Sequence, residues 1–426
     1  MSEWKLDRLA DLATFQKGRK VDTSPFPLIG YEKYLGAGAL SGKTDGYAST
    51  FFAVRAAEHD VLMLWDGERS GLCGTGLSGV VSSTVSKLSP NGKIDSNLLY
   101  YLLLQNFEWI QHRRTGTGVP HVPKDIGRIL CIRYPERKSE QQKIAHILQT
   151  IDQTIEKTQV LIEKYQQIKA GLMHDLFTRG IAPNGQLRPP REQAPELYQQ
   201  TPIGWIPKEW EHMQLESLLA QVPNNLRSGP FGSALLKAEL VEDGIPFLGI
   251  DNIHTEKFVD HFRRFVSEEK FLELNKYAVR PRDVIITIMG TVGRASVVPE
   301  HVDSALSSKH LWTMTFDQEK VISELICWQL NYAPWVKSWF RRETQGGIMD
   351  AIQSRTLKTL TLPLPPYEEQ LRIFGRYNSL TAKMKSEELL FDNLKKQKTG
   401  LMEDLLTGKV PVKVEPEAQL EAEISA

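Results

Sequence analysis

Residues 139–178 read SEQQKIAHILQTIDQTIEKTQVLIEKYQQIKAGLMHDLFT, and residues 368–407 read EEQLRIFGRYNSLTAKMKSEELLFDNLKKQKTGLMEDLLT. The two segments align without a gap at a spacing of 229 residues, and 11 of the 40 aligned positions are identical. Self-similarity at a fixed spacing is the sign of an internal repeat, so two copies of one structural unit are expected in this chain.

Both segments carry a heptad pattern in which seam residues alternate in steps of four and three. In the first segment the seam consists of Ile144, Leu148, Ile151, Ile155, Thr158, Ile162, Tyr165, Lys169, Leu172 and Leu176. In the second it consists of Ile373, Tyr377, Leu380, Met384, Glu387, Phe391, Leu394, Lys398, Leu401 and Leu405. The pattern predicts two helices of about 40 residues, each roughly 60 Å long. Since both belong to one chain, we expect them to form an intramolecular antiparallel coiled coil.

The repeat also extends to the start of each half. Glu3-Trp4 corresponds to Glu209-Trp210 at a spacing of 206 residues, so the second copy holds 23 extra residues. The length of 426 residues also exceeds the roughly 100–200 residues of one domain. The predicted organisation is a globular domain at 1–134, a long helix within 135–180, a proline-rich, extended linker at 181–207, a second globular domain at 208–363, a second long helix within 364–409 and an acidic disordered tail at 410–426.

The two globular regions show the same order of predicted elements. In the first, strands are predicted at 60–65 and 80–88 and a helix at 97–113. In the second, strands are predicted at 283–289 and 306–315 and a helix at 322–342. The predicted fold class is therefore α/β (α+β), with two small mixed domains joined by the long helices in a pseudo-two-fold arrangement.

Composition excludes several classes of protein. Lys and Arg number 52, as do Asp and Glu, so there is no chain-wide basic field, although local basic patches remain open. The cysteines, Cys73, Cys131 and Cys327, are too far apart for a disulfide framework or a cysteine zinc site. No apolar run approaches the ~18 residues of a membrane span, and the first residues lack a signal-peptide core. We expect a cytoplasmic protein without membrane contact.

Three short segments match or resemble catalytic motifs, and none of them is interpreted as a catalytic site. Residues 74–79 match G-x-G-x-x-G, but a strand-like run follows where a dinucleotide site needs a helix. Leu364-Pro365-Pro366-Tyr367 resembles the N-P-P-Y of amino-methyltransferases but lacks the Asn that would hold the target amine. Asp260, Glu268 and Lys270 imitate the D…E-x-K of nucleases, a short pattern that recurs by chance in charged segments. We therefore predict no catalytic residue and no metal site.

Basic residues interleaved with small polar ones form a different pattern, suited to nucleic acid. Arg and Lys reach phosphates, and Arg, Asn and Ser also reach base edges. The candidates are Lys17, Arg19, Lys20, Lys43, Arg69, Arg113, Arg114, Asn225, Arg227, Ser228, Arg294, Lys309, Arg341 and Arg342. Any one such cluster is more often a solvated surface than a binding site. The pairs Arg113-Arg114 and Arg341-Arg342 are stronger candidates because they recur one residue apart at the repeat spacing.

Several segments of the sequence resemble those of a known family. Glu140-Gln141-Gln142-Lys143-Ile144-Ala145, Gly171-Leu172-Met173-His174-Asp175-Leu176 and Ile206-Pro207-Lys208-Glu209-Trp210 are similar to segments of the specificity subunits of type I restriction–modification systems. The resemblance covers nearly the whole chain. It implies two target-recognition domains, each reading one half of a bipartite sequence in double-stranded DNA, and a chain without catalysis or cofactor of its own.

The same resemblance implies partners. Two modification subunits would methylate adenine with S-adenosylmethionine, and restriction subunits would use ATP and Mg for translocation and cleavage. A scaffold or adaptor that joins proteins through the coiled coil, without a DNA role, is the alternative from another class. Filter binding with mixed duplexes separates these two interpretations, and metal-dependent nicking by the chain alone would indicate a nuclease.

Overall fold

The chain divides into two compact units. Unit 1 holds residues 1–161 and 387–426, and unit 2 holds residues 162–386. A computed structural model describes residues 3–116, 118–343 and 352–414. Each unit therefore combines one globular region of the repeat with one half of each long segment that carries the heptad pattern.

Unit 1 contains a two-stranded, a four-stranded and a five-stranded sheet and three short helices. Its strands are β1 (Trp4–Arg8), β2 (Ala13–Lys17), β3 (Thr23–Ser24), β4 (Tyr31–Leu35), β5 (Tyr47–Ser49), β6 (Arg55–Ala56), β7 (Val61–Leu64), β8 (Cys73–Gly74), β9 (Gly79–Val81), β10 (Val85–Pro90) and β11 (Cys131–Pro135). Its short helices are α1 (Ser96–Gln105), α2 (Phe107–Gln111) and α3 (Ile126–Ile129). The two-stranded sheet pairs β1 with β11, and the four-stranded sheet has the order β2-β10-β7-β8. The five-stranded sheet has the order β3-β5-β4-β9-β6, with β4 and β9 parallel.

The first long helix, α4, spans Lys138–Thr178. The linker that follows it contains a short 3-10 turn and a hairpin, namely Pro195–Leu197, β12 (Tyr198–Thr201) and β13 (Gly204–Pro207). Arg188, Tyr198 and Ile206 are buried, and Ile206 belongs to an apolar cluster of unit 2. The prediction of an extended spacer is therefore wrong, because these buried side chains hold the linker against the unit.

Unit 2 continues with further strands and helices. Its strands are β14 (Glu211–Gln214), β15 (Leu226–Arg227), β16 (Ile245–Leu248), β17 (Ile253–His254), β18 (Lys257–Phe258), β19 (Phe265–Val266), β20 (Ala278–Val279), β21 (Val284–Thr287), β22 (Ala295–Val297), β23 (Ala305–Ser307), β24 (Leu311–Met314) and β25 (Thr361–Leu364). The helices are α5 (Leu215–Leu218), α6 (Glu268–Glu273), α7 (Ser323–Tyr332), α8 (Pro334–Glu343), α9 (Ser354–Lys358) and the second long helix, α10 (Tyr367–Leu406).

The sheets of unit 2 repeat those of unit 1. The order β15-β24-β21-β22 matches β2-β10-β7-β8, and β16 runs parallel to β23 as β4 does to β9. In both units the helix after the last sheet strand packs its apolar residues on the four-stranded sheet. Much of the extra length of the second copy lies between β15 and β21, where the hairpin β17–β18 and α6 occur.

Two predicted strands are each divided in the structure. The predicted strand 80–88 becomes β9 and β10, and the predicted strand 306–315 becomes β23 and β24, with the two parts in different sheets. At the first break Gly18 lies against the backbone of Ser82, and at the second Gly229 lies against Ser307. Neither glycine has room for a Cβ. The prediction of continuous strands is wrong because this close approach, made between distant segments, turns the chain.

The predicted coiled coil is confirmed by the packing inside each unit. In unit 1, Ile144 and Leu148 near the start of α4 share a core with Leu405 near the end of α10. In unit 2, Leu176 near the end of α4 shares a core with Ile373 near the start of α10. The two helices are thus antiparallel in both places. Every seam position predicted from the heptads is buried or half-buried.

Two further predictions concern the end of the chain and its longest helices. The predicted disordered tail falls mostly on residues 415–426, which lie outside the described residues. Among the helices that the structure does describe, none is both long and apolar enough to cross a membrane.

Candidate nucleic-acid interface

In unit 1 several of the predicted basic residues surround the turn between β7 and β8. Asp66 in this turn accepts a hydrogen bond from Lys17 Nζ at 2.9 Å and lies 2.7 Å from His121 Nδ1. The backbone nitrogen of Gly67 donates to the carbonyl of Pro120. The end of β2, the turn and the loop that contains residue 121 are thereby held together, and Lys17 is neutralised in part by Asp66.

The Arg113-Arg114 pair follows the end of α2 and reaches the same turn. The Arg114 guanidinium donates to the carbonyl of Glu68 at 2.6 Å and to that of Gln111 at 2.8 Å. The Arg113 guanidinium lies 3.9 Å from the centre of the Trp109 ring, a cation–π geometry. Both side chains remain exposed, so they present two held positive charges to solvent.

The remaining predicted residues of unit 1 are also exposed. Arg69 lies on the turn after Asp66 and donates to Ser41 Oγ at 3.1 Å, which brings it to the loop that carries Lys43. Arg19 and Lys20 follow β2 directly. The turn between β7 and β8 is thus the centre of the basic residues of unit 1. Lys17, Arg69 and Arg114 contact it or belong to it, Arg113 lies next to Arg114, and Ser41 links it to the loop of Lys43. Arg19 and Lys20 follow β2, the strand that ends beside this turn.

Unit 2 has a turn at the corresponding place, between β21 and β22. Thr287 and Arg294 close it, with the backbone nitrogen of Arg294 donating to Thr287 Oγ1 at 3.1 Å. Gly293 in this turn faces the ring of Phe340, which belongs to α8 just before Arg341 and Arg342. Both arginines are exposed. The structure thus places a basic pair at the end of a helix beside the same sheet turn in both units.

A cleft of about 380 Å³ in unit 2 reaches this turn through Ile250, which lies against Gly290 of the turn. Its polar wall contains Arg264, Lys309 and His310, and its apolar wall includes Phe247 and Ile250. The pKa of His310 is lowered by burial, with smaller contributions from the charges of Lys309 and Arg264. The imidazole is therefore held neutral near pH 7, a form that can both donate and accept a hydrogen bond.

Three of the predicted residues make contacts inside the protein instead of facing solvent. Arg227 is 5% exposed, forms an ion pair with the fully buried Asp283 and donates to Thr315 Oγ1 at 2.9 Å. Ser228 is buried, and the side-chain amide of Asn225 donates to the carbonyl of Ala220. We leave these three out of the proposed interface, because their polar groups are turned to the protein.

The nuclease-like pattern is engaged in ordinary surface pairs. Lys270 on α6 pairs with Glu239 and Glu273, and Asp260 lies 3.4 Å from His301. In the part of the chain that the structure describes, no cluster of His, Cys, Asp and Glu is arranged to hold a metal ion.

Sequence reasoning missed two half-buried polar networks. In unit 1, Lys398 forms an ion pair with Asp152 at 2.6 Å, and Asp152 accepts a hydrogen bond from the Tyr101 hydroxyl. In unit 2, Lys169 pairs with Glu256 at 3.3 Å, and Glu256 also accepts from Tyr377. Desolvation, followed by the carboxylate neighbour, raises the pKa of both tyrosines. The sequence signal for both networks was the pair of lysines, Lys169 and Lys398, at matching positions of the two heptad seams.

The comparisons with known proteins agree with one another. The family model described as "Type I restriction modification DNA specificity domain" matches residues 1–167 and 207–395. The type I restriction enzyme MjaVIII specificity subunit of Methanocaldococcus jannaschii is 27% identical over 96% of this chain and 94% of its own. The EcoBI specificity subunit of Escherichia coli is 21% identical over 85% of this chain and 76% of its own.

Solved structures share the fold. The S subunit of a type I restriction–modification system from M. genitalium has a TM-score of 0.60 and 16% identity, with 97% of both chains covered. A chain from a structure of type I R-M complex assembly and conformational transition has a TM-score of 0.52 at 16% identity, covering 95% of this chain and 97% of its own.

Proposed function

Since this chain belongs to the family of type I restriction modification DNA specificity domains, we propose that it reads a bipartite DNA sequence, with one half-site for each unit. The observation that carries the proposal is the repeated arrangement of two exposed arginines at the end of a helix beside a sheet turn. Paired guanidiniums can bind phosphates and reach base edges in the major groove. Neutral net charge is compatible with this, because the positive charge is local.

Membership of the family supports a specificity subunit without catalytic activity. We further propose which subunits of the complex bind each cofactor. S-adenosylmethionine would bind to two modification subunits, and ATP and Mg to restriction subunits, with no cofactor held by this chain. The complex would work on double-stranded DNA in the cytoplasm. In unit 2 the cleft with Lys309 and His310 would add contacts beside the arginine pair, and in unit 1 Arg69 and Lys43 would do so.

Replacing both arginines of one pair with alanine is expected to weaken binding to duplex DNA. The variants are Arg113→Ala with Arg114→Ala, and Arg341→Ala with Arg342→Ala. The slope of log affinity against log salt should fall by roughly 0.9 for every phosphate that is no longer bound, because fewer counterions are released. Filter binding of the purified chain across a salt series measures both the affinity and the slope.

The matched control removes the same two charges from an exposed stretch of α4, through Lys157→Ala with Lys164→Ala. This variant should keep the wild-type salt slope. Wild-type affinity and slope in both arginine variants would show that the two pairs are ordinary solvated surface. Circular dichroism checks that each variant folds, since Arg114 also contacts the Glu68 carbonyl.

The repeat predicts the stoichiometry of assembly. Two similar units on one chain offer two similar surfaces to the same partner. We expect native mass measurement to find two modification subunits per chain at saturation. A complex that saturates with one modification subunit would contradict the proposal that both units recruit this partner.

A further inference from the structure

The start of each long helix is fixed by a buried glutamine with the same set of hydrogen bonds. Gln141 accepts from the backbone nitrogen of Asp95 and donates to the carbonyls of Lys93 and Pro135. Gln370 accepts from Ile322 and donates to the carbonyls of Lys320 and Pro365. The two helix starts are therefore built alike, and a difference between the residues next to them is informative.

The residue before Gln370 is Glu369, which is 1% exposed and fully partnered. The guanidinium of Arg188 donates to its two carboxylate oxygens, at 2.5 and 2.8 Å. The backbone nitrogen of Ile181 donates to one of them at 2.8 Å. Both donors come from the linker that follows α4, so on unit 2 this segment supplies the cation that a buried carboxylate requires.

The corresponding residue of unit 1 is Glu140, whose side chain is 10% exposed. Its Oε2 is buried and has no hydrogen-bond partner among the described residues. The nearest cation is the largely exposed Arg137, 4.0 Å from Oε1. Glu140 and Glu369 both lie in the first turn of a helix, so the helix dipole favours the two charges equally. The difference is that Glu369 is held by a buried guanidinium in two short hydrogen bonds, whereas Glu140 has only the exposed Arg137 at 4.0 Å.

The segment that would supply this guanidinium in unit 1 is the one after α10. Gly408 there lies against Trp4 as Gly180 lies against Trp210, which shows that the two helix ends correspond. The cations in this segment are Lys409, already paired with Glu403, and the exposed Lys413. Residues 415–426 add four Glu and contain no Lys, Arg or His. This segment contains no arginine, whereas the linker of unit 2 supplies Arg188 to Glu369.

We propose that Glu140 is a docking site for an arginine on an extended segment of a partner subunit, which occupies on unit 1 the place that the linker occupies on unit 2. The proposal rests on the proposed function, which makes the modification subunit the partner. Charge complementarity selects an arginine, because Oε2 of Glu140 has no hydrogen-bond partner among the described residues and Oε1 has only the long pair with the exposed Arg137.

The test compares Glu140→Gln with Glu369→Gln in the full chain. Two measurements are made, the melting temperature of the free chain and the affinity for the purified modification subunit. Glu140→Gln should leave the melting temperature unchanged or raise it, because it removes a buried charge whose only ion pair, with the exposed Arg137, is weak. It should weaken binding of one modification subunit roughly 10- to 100-fold, the effect of removing a hydrogen bond between charged groups. Glu369→Gln should lower the melting temperature, because Arg188 loses its partner.

Two results would overturn the proposal. Equal lowering of the melting temperature by both variants would show that a group of this chain already pairs with Glu140. Binding by Glu140→Gln within twofold of wild type would show that the partner does not use the carboxylate. Failure of the wild-type chain to bind both DNA and the modification subunit would instead overturn the proposed function, and this inference with it.

Discussion

Replacing Asp283 with alanine is expected to lower the free energy of unfolding of unit 2 by about 3–5 kcal/mol. Asp283 is fully buried and pairs with Arg227, which is itself 5% exposed. The Asp283 carboxylate also accepts from Thr315 Oγ1 at 2.6 Å and from the backbone nitrogen of Arg280 at 2.7 Å. These contacts join three parts of the sheet β15-β24-β21-β22, and the substitution would leave the guanidinium of Arg227 buried without its counter-charge.

Hydrogen exchange of β15, β21 and β24 during a urea titration reports the stability of this sheet. The matched control in the same unit is Glu216→Ala, which removes an ion pair of 2.7 Å between the exposed side chains of Glu216 and Lys358. That variant should cost less than about 1 kcal/mol. Equal effects of the two substitutions would show that burial does not decide the strength of these pairs.

A second variant separates the charge from the packing. Replacing Arg227 with Met and Asp283 with Leu removes both charges and keeps most of the side-chain volume. Buried ion pairs replaced in this way usually cost little stability. The double variant should therefore recover most of the stability that Asp283→Ala removes. If it is as unstable as the single variant, the hydrogen bonds to Thr315 and Arg280 matter more than the unpaired charge.

The long helices could be predicted from sequence because their signal is local. Ile144 and Leu148 in α4 follow the helical spacing, and so do Ile373 and Tyr377 in α10. Each of these residues meets the other helix regardless of what the globular regions do. The polar seam residues also correspond: Lys169 and Lys398 lie at matched places, and each forms an ion pair with a carboxylate. A pattern that repeats every seven residues specifies its own packing.

The strand breaks and the folded linker could not be predicted, because distant residues decide them. The turn at Ser82 depends on Gly18, which is 64 residues earlier in the chain. The linker is held by Arg188, whose partner Glu369 lies 181 residues further along. A basic residue in a proline-rich segment looks solvated in the sequence, and only the buried carboxylate of another helix gives it a structural role.

The repeat singles out two of the predicted basic clusters, and the sequence offers no such guide for the others. Arg113-Arg114 and Arg341-Arg342 recur in both halves, and the structure places both pairs beside a sheet turn. Arg227 carries the same charge and sits in an equally polar stretch, yet it pairs with Asp283 inside the protein. Composition alone cannot separate an exposed arginine from one that fixes a sheet, because the difference lies in pairing with a buried residue 56 positions away.

Replacing Gln141 or Gln370 with leucine is expected to destabilise the unit concerned by about 3 kcal/mol or more. Each side chain satisfies one backbone nitrogen and two backbone carbonyls, and both residues are at most 1% exposed. Leucine has a similar volume but leaves all three groups without a partner, and each such group costs about 1–3 kcal/mol. In unit 1 the substitution would free the start of α4 from the segment before α1, and in unit 2 it would free α10 from the segment before α7.

The neighbouring Gln142 supplies the matched control, because it is exposed and undergoes the same chemical change in Gln142→Leu. The second copy carries Leu371 at this position, so leucine is compatible with the helix there. The control should change the free energy of unfolding by less than about 0.5 kcal/mol. Hydrogen exchange of α1 and α7, recorded at increasing urea concentrations, measures the free energy of unfolding of each unit separately. Because Gln141 and Gln370 make equivalent bonds, the two destabilisations should agree within about 1 kcal/mol. A large effect at one and a small effect at the other would show that the two helix starts, although alike in geometry, are not held by the same interactions.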